Sequence, residues 1–290
     1  MNKLVKKGII LAGGKGTRLY PSTITTGKPL LPVYDKPLMY YSIWTLISIG
    51  VTDILLISTE RDLDSYKLLF GDGSKLGINI SYEIQTIAKG IPDAFVIGES
   101  FIGDDNVVLL LADNIFDPID MVTKAVNDYK GGSMTFGFPV PDPELFGVAE
   151  VDDNGNVISM EEKPENPKSN LAIIGLYIFD GEVSAAAKNL TPSARGELEI
   201  LHVIQHYLDR NNLKFVNLGD QFQWFDAGNP DSLLEVSNYL SERNDFKVGA
   251  VELAAYKQRF IDKQSLLKLV AEMPKCSYKK NMEDIIKELD

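Results

Sequence analysis

Residues 8–21 read Gly-Ile-Ile-Leu-Ala-Gly-Gly-Lys-Gly-Thr-Arg-Leu-Tyr-Pro, an apolar run that enters a glycine-rich loop carrying Lys15 and Arg18. Glycines let backbone N–H groups approach an anion without side chains in the way, and the two cations supply the charge a polyphosphate needs. The chemistry these residues suggest is the cradling of a nucleoside triphosphate. The loop is neither of two familiar kinds. No stretch has the G-x-x-x-x-G-K-[ST] pattern of a Walker loop, and Gly14-Lys15-Gly16-Thr17-Arg18 runs on to Leu19 without the third glycine of a dinucleotide fingerprint. An ordinary glycine turn after the first strand of an α/β domain stays open as the other reading.

Three further places carry reactive groups. The apolar run Val107–Ala112 ends in Asp113-Asn114, where the carboxylate serves either a ligand or a helix cap or turn. Glu161-Glu162-Lys163-Pro164 closes a strand, either as part of a site or as a solvated charged end; alternation puts Glu162 and Lys163 on opposite faces until the proline. Trp224-Phe225-Asp226-Ala227-Gly228 sets one acid among aromatic residues, where a charge is costly to bury unless something, such as a divalent metal, pairs with it. His202 and His206 have i, i+4 spacing, but no H-E-x-x-H pattern surrounds them, and a metal role is not expected there.

The elements that must position these groups alternate. Strand-like runs occur at 7–12, 53–58, 78–84 and 107–112, and helical patterns at 38–49, launched by Pro37, and 62–70. The expected fold is therefore α/β, a Rossmann-like, mostly parallel sheet flanked by helices, with ligands beyond the carboxyl ends of its strands. From about residue 133 the pattern turns toward β, at 134–140, 148–151, 157–162 and 172–179, which predicts a small antiparallel extension. Helical segments follow near 182–189, 197–210 and 230–243, and amphipathic helices fill 251–289.

Composition narrows the class. With 290 residues, 44% apolar and 24% charged, the chain is of globular type. Its net charge of −12 argues against a partner nucleic acid or anionic membrane surface. The charge is uneven: Lys3, Lys6, Lys7, Lys15, Arg18, Lys28 and Lys36 face only Asp35 within residues 1–36, so this segment is +6 and the remainder −18. The first three lysines read as a solvated edge. The apolar run Ile9–Ala12 is too short for a signal peptide, and no stretch has the length of a membrane span. Cys276 is the only cysteine, which excludes an intrachain disulfide and suits the cytoplasm.

Taken in order, L-A-G-G-x-G-T-R-L at 11–19, G-K-P-L-L-P at 27–32, Y-D-K-P-L at 34–38, L-A-D-N-I-F at 111–116, F-G-V at 146–148, E-E-K-P at 161–164, P-S-A-R-G-E-L-E-I at 192–200 and W-F-D-A-G at 224–228 resemble the sugar-1-phosphate nucleotidyltransferases. The likeness is greatest to the short glucose-1-phosphate thymidylyltransferases and covers roughly residues 6–240. It implies a catalytic domain over 1–240 and a C-terminal helical extension over 241–290 with oligomer or regulatory contacts. It also implies condensation of dTTP with glucose 1-phosphate, Mg²⁺ as cofactor, and a homo-oligomer, dimer or tetramer.

The resemblance further implies roles. Leu11, Gly13, Gly14, Gly16 and Thr17 cradle the nucleotide, with Arg18 and Lys28 on its phosphates. Gln85 and Gly90 fall where the base is read. Asp113 and Asp226 match the metal pair, Gly147, Glu162 and Ile173 the glucose pocket, and Lys163 the sugar phosphate. Arg18, Lys28 and Lys163 are the catalytic cations. The chain departs from the family at Gly27-Lys28-Pro29, where S-K-Q is usual, and at Pro92, Phe146, Ile173-Ile174 and Asp117-Pro118-Ile119. The first four changes bear on the choice of base and sugar, and the last on feedback control. A UTP-dependent or other sugar-1-phosphate enzyme, or a non-catalytic regulatory module, are the other readings.

Overall fold

The first strand is β1 (Val5–Leu11), whose apolar residues are buried on both faces of a sheet; Lys6 on it is exposed, but Lys7 is no solvated edge, because it is partly buried, pairs with Asp105 at 2.7 Å and donates to Ile102 O at 3.1 Å. The structure, a computed structural model, describes residues 4–243 and 246–289. Lys3, one of the three lysines read as a solvated edge, lies outside them. A short hairpin follows, β2 (Pro32–Val33) and β3 (Lys36–Pro37), and then α1 (Leu38–Ile49). Pro37 stands immediately before α1 as its N-cap, and Gly50 ends the helix in the left-handed conformation, as a C-terminal glycine commonly does. Of its twelve residues only Tyr40 is not buried, because α1 is apolar all round and lies inside the molecule.

Next come β4 (Asp53–Ser58), α2 (Glu60–Phe70), β5 (Asn79–Ile84), α3 (Asp93–Ile97), α4 (Glu99–Ile102) and β6 (Asn106–Leu111). Strands β1, β4, β5 and β6 are parallel, with Ile10 of β1 in register with Leu56 and Leu110 on either side. Continuous Ile, Leu and Val runs belong to strands covered on both faces, and two core clusters lie on opposite faces of this sheet. Tyr41, Trp44 and Phe116 belong to one cluster, and Phe95, Phe179 and Tyr207 to the other.

The second half contributes β7 (Asn114–Asp117), α5 (Ile119–Asn127), β8 (Ser133–Pro139), β9 (Gly147–Val151), β10 (Val157–Glu162), β11 (Leu171–Phe179), α6 (Val183–Lys188), α7 (Ile200–Leu208), β12 (Leu213–Asn217), β13 (Gln223–Asp226) and α8 (Pro230–Arg243). The antiparallel strands continue the central sheet, whose order is β10-β9-β11-β6-β1-β4-β5, with β8 on β11 and β12 on β8. Strands β7 and β13 form a separate two-stranded ribbon. Short segments such as β7, β13 and α3 carry too few residues for a periodic pattern, so sequence alone did not single them out. No helix among the described residues is long and apolar enough to cross a membrane.

The chain ends in α9 (Val251–Lys257), α10 (Lys263–Glu272) and α11 (Ser277–Lys287). They share a small core of Leu253, Leu266, Val270, Met282 and Ile286, while Val251 and Ala254 of α9 join the cluster that contains α1. A buried cation stitches this region to the β2–β3 hairpin. Lys36 donates to Asp35 Oδ1 at 2.5 Å and to Val248 O at 3.3 Å, and its ammonium lies 5.2 Å from the Tyr41 ring centroid and 5.5 Å from that of Tyr278. Tyr278 in turn donates to Glu252 Oε2 at 2.6 Å. Burial pushes the Lys36 ammonium below its ordinary range, and Asp35 opposes that shift. Removing one member of such a pair strands the other charge, so Lys36→Ala should lose about 3 kcal/mol of unfolding free energy by urea denaturation. A loss under about 1 kcal/mol would show that the pair does not hold the C-terminal helices in place.

Candidate functional site

Leu11 is the last residue of β1, and the chain turns out of the strand through the glycines. Gly16 has φ 61°, and a Cβ there would stand 2.8 Å from Thr23 Cγ2 and 3.3 Å from Lys28 Cβ, so conformation and space both require glycine. Its carbonyl accepts from Thr23 Oγ1 at 2.8 Å and from Leu19 N–H at 2.9 Å, which pins a single turn of 3₁₀ helix over Thr17–Leu19. Gly14 faces open space, and Lys15, Thr17 and Arg18 are exposed around it. The loop thus presents backbone and two cations to solvent.

Gln85 follows β5 and is buried, its N–H donating to Ser58 O at 2.8 Å. A Cβ on Gly13 would lie 2.5 Å from Gln85 Oε1, so loop and amide are in contact. Gly90 has φ 109° and its Cβ position falls 2.1 Å from Leu198 O, a close approach that only glycine permits. Leu198 N–H closes that approach by donating to Lys89 O at 2.7 Å.

The carboxylates meet across two chain segments. Asp113 lies just past the end of β6; β13 pairs antiparallel with β7, which sets Asp226 opposite Asn114, and Ala227 N–H donates to Asp113 O at 2.9 Å. Lys28, on the turn Lys28–Leu30, forms an ion pair with Asp113. Arg18 Nη2 lies 3.8 Å from Asp226 Oδ2, and its guanidinium fills the space that a Cβ on Gly228 would need. Asn114 braces the corner: its Nδ2 donates to Asp113 Oδ1 at 2.8 Å, while its Oδ1 accepts from Trp224 Nε1 at 2.6 Å and Gly175 N–H at 3.1 Å.

The two acids are driven apart in protonation. Burial favours the neutral form of Asp113, but the Lys28 charge outweighs it and, with Asn114, holds the carboxyl below its usual value. Asp226 is pushed up to about 6 by burial first and then by the Asp113 charge, against Lys28 and Arg18. A second carboxylate that is reluctant to ionise beside the first is the signature of a place short of positive charge. Paired hard oxygen donors suit Mg²⁺, which takes one or two carboxylates and fills its remaining positions with water or phosphate oxygens. Among the described residues no cluster of three or more His, Cys, Asp or Glu forms a fuller protein cage.

The remaining predicted residues sit on the antiparallel limb. Gly147 of β9 is in register with Glu162 of β10, and a Cβ on Gly147 would approach Glu162 Oε2 to 3.1 Å and Leu201 Cδ1 to 3.3 Å. Ile173 is buried in β11, next to an irregularity in its pairing with β8. Strand β10 stops at Glu162, and Lys163 has φ 48°, so strand alternation does not reach it; its N–H donates to Phe146 O at 2.9 Å and its side chain is exposed. Among the described residues no ion pair links Lys163 to the Asp113–Asp226 pair. Tyr177 of β11 lies between the halves: burial, then the charges of Glu162 and Asp113, raise its phenol.

Sequence reasoning did not assign Arg195, Glu199, Asn114 or Asp93, all of which the structure ties to predicted residues. Arg195 Nη2 bonds Glu162 Oε1 at 3.2 Å and Glu199 Oε2 at 2.9 Å, and Ser193 Oγ donates to Glu199 Oε1 at 2.7 Å. Burial and then Glu199 raise the Glu162 carboxyl, opposed by Arg195 and Lys163. The 192–200 motif was the available signal, but Arg195 and Glu199 lie in the turn before α7, where helical spacing does not apply. A separate hollow of about 800 Å³ lies between the 74–77 turn and the α9–α10 connection, and neither the loop nor the carboxylates line it.

A nucleotidyl transferase family model matches residues 7–243. The glucose-1-phosphate thymidylyltransferase of Mycolicibacterium smegmatis is 45% identical over 276 residues, covering 94% of this chain and 96% of that protein. The enzyme of the same name from Neisseria meningitidis is 43% identical over 277 residues, covering 94% and 96%. A Bacillus anthracis crystal structure in complex with sucrose, described as a candidate glucose-1-phosphate thymidylyltransferase, has a TM-score of 0.76 at 39% identity and covers 82% of this chain and 96% of its own. A UDP-glucose pyrophosphorylase complexed with UDP-glucose has a TM-score of 0.74 at 24% identity, covering 83% and 100%, and shares the fold.

The raised carboxyl of Asp226 sets the sign of a stability effect. Its folded form holds the proton more tightly than an unfolded chain does, so its contribution to stability falls as pH rises from about 4 through about 6. Asp226→Asn removes that cost and should stabilise the metal-free protein at pH 7.5 by about 1–2 kcal/mol, allowing for partial solvent access. Chemical denaturation measures it, and a destabilised variant contradicts the electrostatic account.

Proposed function

The chain belongs to the nucleotidyl transferase family, and from that premise we propose that it is a glucose-1-phosphate thymidylyltransferase, condensing dTTP with α-D-glucose 1-phosphate to give dTDP-glucose and pyrophosphate. The observation that carries this reading is the meeting of Asp113 and Asp226 with Lys28 and Arg18 at the rim of the glycine loop. The named relatives supply the base and the sugar. The product points to the first step of dTDP-rhamnose and related deoxysugar synthesis.

In the proposed reaction a phosphate oxygen of the sugar phosphate attacks the α-phosphorus. The new O–P bond forms as the bridge to the β-phosphorus breaks, and its electron pair leaves on pyrophosphate. No proton need be removed, because a phosphomonoester with a second pKa near 6 is largely dianionic at pH 7. The obstacle is repulsion between two polyanions and the geometry of an in-line approach. Gly13, Gly14, Gly16 and Thr17 present backbone to the triphosphate beside Leu11, with Gln85 and Gly90 toward the base. Arg18, free on its outer side, and Lys28 serve the phosphates; Lys28 leaves Asp113 for the triphosphate. Glu162, Gly147 and Ile173 form the sugar side, and the exposed Lys163 meets the sugar phosphate. Asp113 and Asp226 would hold Mg²⁺, which when bound supplies positive charge against the phosphate oxygens.

Residues 1–240 are assigned to the catalytic domain and 241–290 to a helical extension, in keeping with the separate small core around Leu266 and Met282. A homo-oligomer, dimer or tetramer, and a cytoplasmic location are part of the same reading. The discriminating experiment is a pyrophosphate-release assay that crosses four nucleoside triphosphates with glucose-, galactose-, mannose- and N-acetylglucosamine-1-phosphate. dTTP with glucose 1-phosphate should be preferred, and more than about tenfold preference for UTP would reassign the base. Asp113→Asn should lower kcat by about 10²-fold or more, whereas Lys163→Ala should chiefly raise KM for the sugar phosphate.

A further inference from the structure

Gln85 and Asp93 form a buried pair beside the glycine loop. Gln85 Nε2 donates to Asp93 Oδ2 at 2.9 Å, and each residue is only 7% exposed. A carboxylate offers acceptors and no donor, so the amide nitrogen must be the end that faces Asp93. The amide oxygen is thereby turned the other way, to within 2.5 Å of the Cβ position of Gly13. Among the described residues no donor hydrogen-bonds that oxygen, and it is not one of the polar atoms sealed from solvent without a partner. It stands as an open acceptor beside the loop.

Both members are held from behind. Gln85 N–H is bonded to Ser58 O at 2.8 Å, and Asp93 is the first residue of α3, its N–H donating to Gly90 O at 3.4 Å. Turning the Gln85 amide over would set oxygen against the carboxylate with little water to separate them, which is costly in a buried site. The orientation of one amide is thus fixed by one acid.

We propose that Asp93 is a positioning residue that locks Gln85 Oε1 as the acceptor for a ring N3–H of the bound base, so that thymine or uracil is accepted and cytosine, whose N3 is itself an acceptor, is refused. The proposal rests on the reading that Gln85 faces the base. It differs from a structural role for Asp93 in predicting a gain. With Asn at position 93 both an acceptor and a donor are available, so either orientation of Gln85 is satisfied. dTTP then loses about twofold, the statistical cost of two equal orientations, while CTP finds the amide nitrogen as its donor.

Pyrophosphate release with glucose 1-phosphate is measured for the natural protein, Asp93→Asn and Asp93→Ser, each with dTTP and with CTP. The natural protein should favour dTTP by at least about 100-fold in kcat/KM. Asp93→Asn should raise kcat/KM for CTP at least about tenfold, the effect of relieving one unpaired buried group, and leave dTTP within a few-fold. Asp93→Ser, which also frees the amide, gives the same test if the first variant does not fold. Equal losses for both nucleotides, or an unchanged ratio, overturn the role of Asp93 while leaving the thymidylyltransferase reading intact. A natural protein that turns over neither dTTP nor UTP brings down that reading and this proposal together.

Discussion

Two carboxylates brought together at the end of a hydrophobic sheet are the constraint on which the rest of this site depends. Asp113 and Asp226 come from segments more than a hundred residues apart in the chain, and the β7–β13 ribbon forces them side by side. Their mutual repulsion in a half-buried corner is expensive, and the surrounding structure is organised around it. Lys28 neutralises one acid, Arg18 stands beside the other, and Asn114 fixes the geometry with three hydrogen bonds of its own. A corner built at that cost is where the proposed reading would put a cation. Charge that a fold has no structural use for is the mark of function rather than of stability.

The same logic explains an acidic protein with a basic mouth. The sheet places the carboxyl ends of β1 and β6 next to each other, so the glycine loop and Asp113 share one rim by topology alone. The antiparallel strands extend that rim outward, and Gly147 and Glu162 therefore face the same region from β9 and β10. On the proposed reading the parallel half would serve the phosphates and the antiparallel half the sugar. Continuity of a single sheet, rather than contact between two domains, aligns them.

Long elements and the glycine-rich turn after β1 were legible in the sequence; pair contacts across the chain were not. Strands β4 and β6 and helix α1 fall within a residue of expectation because their apolar runs are long and sharply bounded, β4 opening at Asp53, α1 closing at Gly50 and β6 stopping just before Ala112-Asp113. The strand at Val157–Glu162 matched as well, yet Lys163 leaves it with a positive φ, which no alternation rule foresees in a non-glycine residue. Strands β7 and β13 are four residues each and acquire meaning only by pairing, so the corner they build could not be read locally. Gln85 was singled out only by the family resemblance and Asp226 by its motif, whereas their neighbours Asp93 and Asn114 are ordinary polar residues whose hydrogen bonds are set by tertiary contact. Arg195 lies between these cases: its motif was visible, and its bonds to Glu162 and Glu199 were not.

The C-terminal helices connect to the loop that carries Lys28 through the β2–β3 hairpin. The segment that carries Lys28 runs directly into the β2–β3 hairpin, and that hairpin is held by Lys36, whose ammonium sits between Asp35, Tyr41 and Tyr278. Gly249, with φ 77°, packs its Cα against Tyr41 and the Lys36 stem, where a side chain would not fit. A buried lysine is costly in isolation, and replacing such a pair by apolar residues often improves stability. Its value is therefore in specificity of place: a charge that has one set of partners fixes the hairpin in one position relative to α9 and α11. On the proposed reading Lys28 would serve a phosphate, and a hairpin anchored in this way would limit where its side chain can reach.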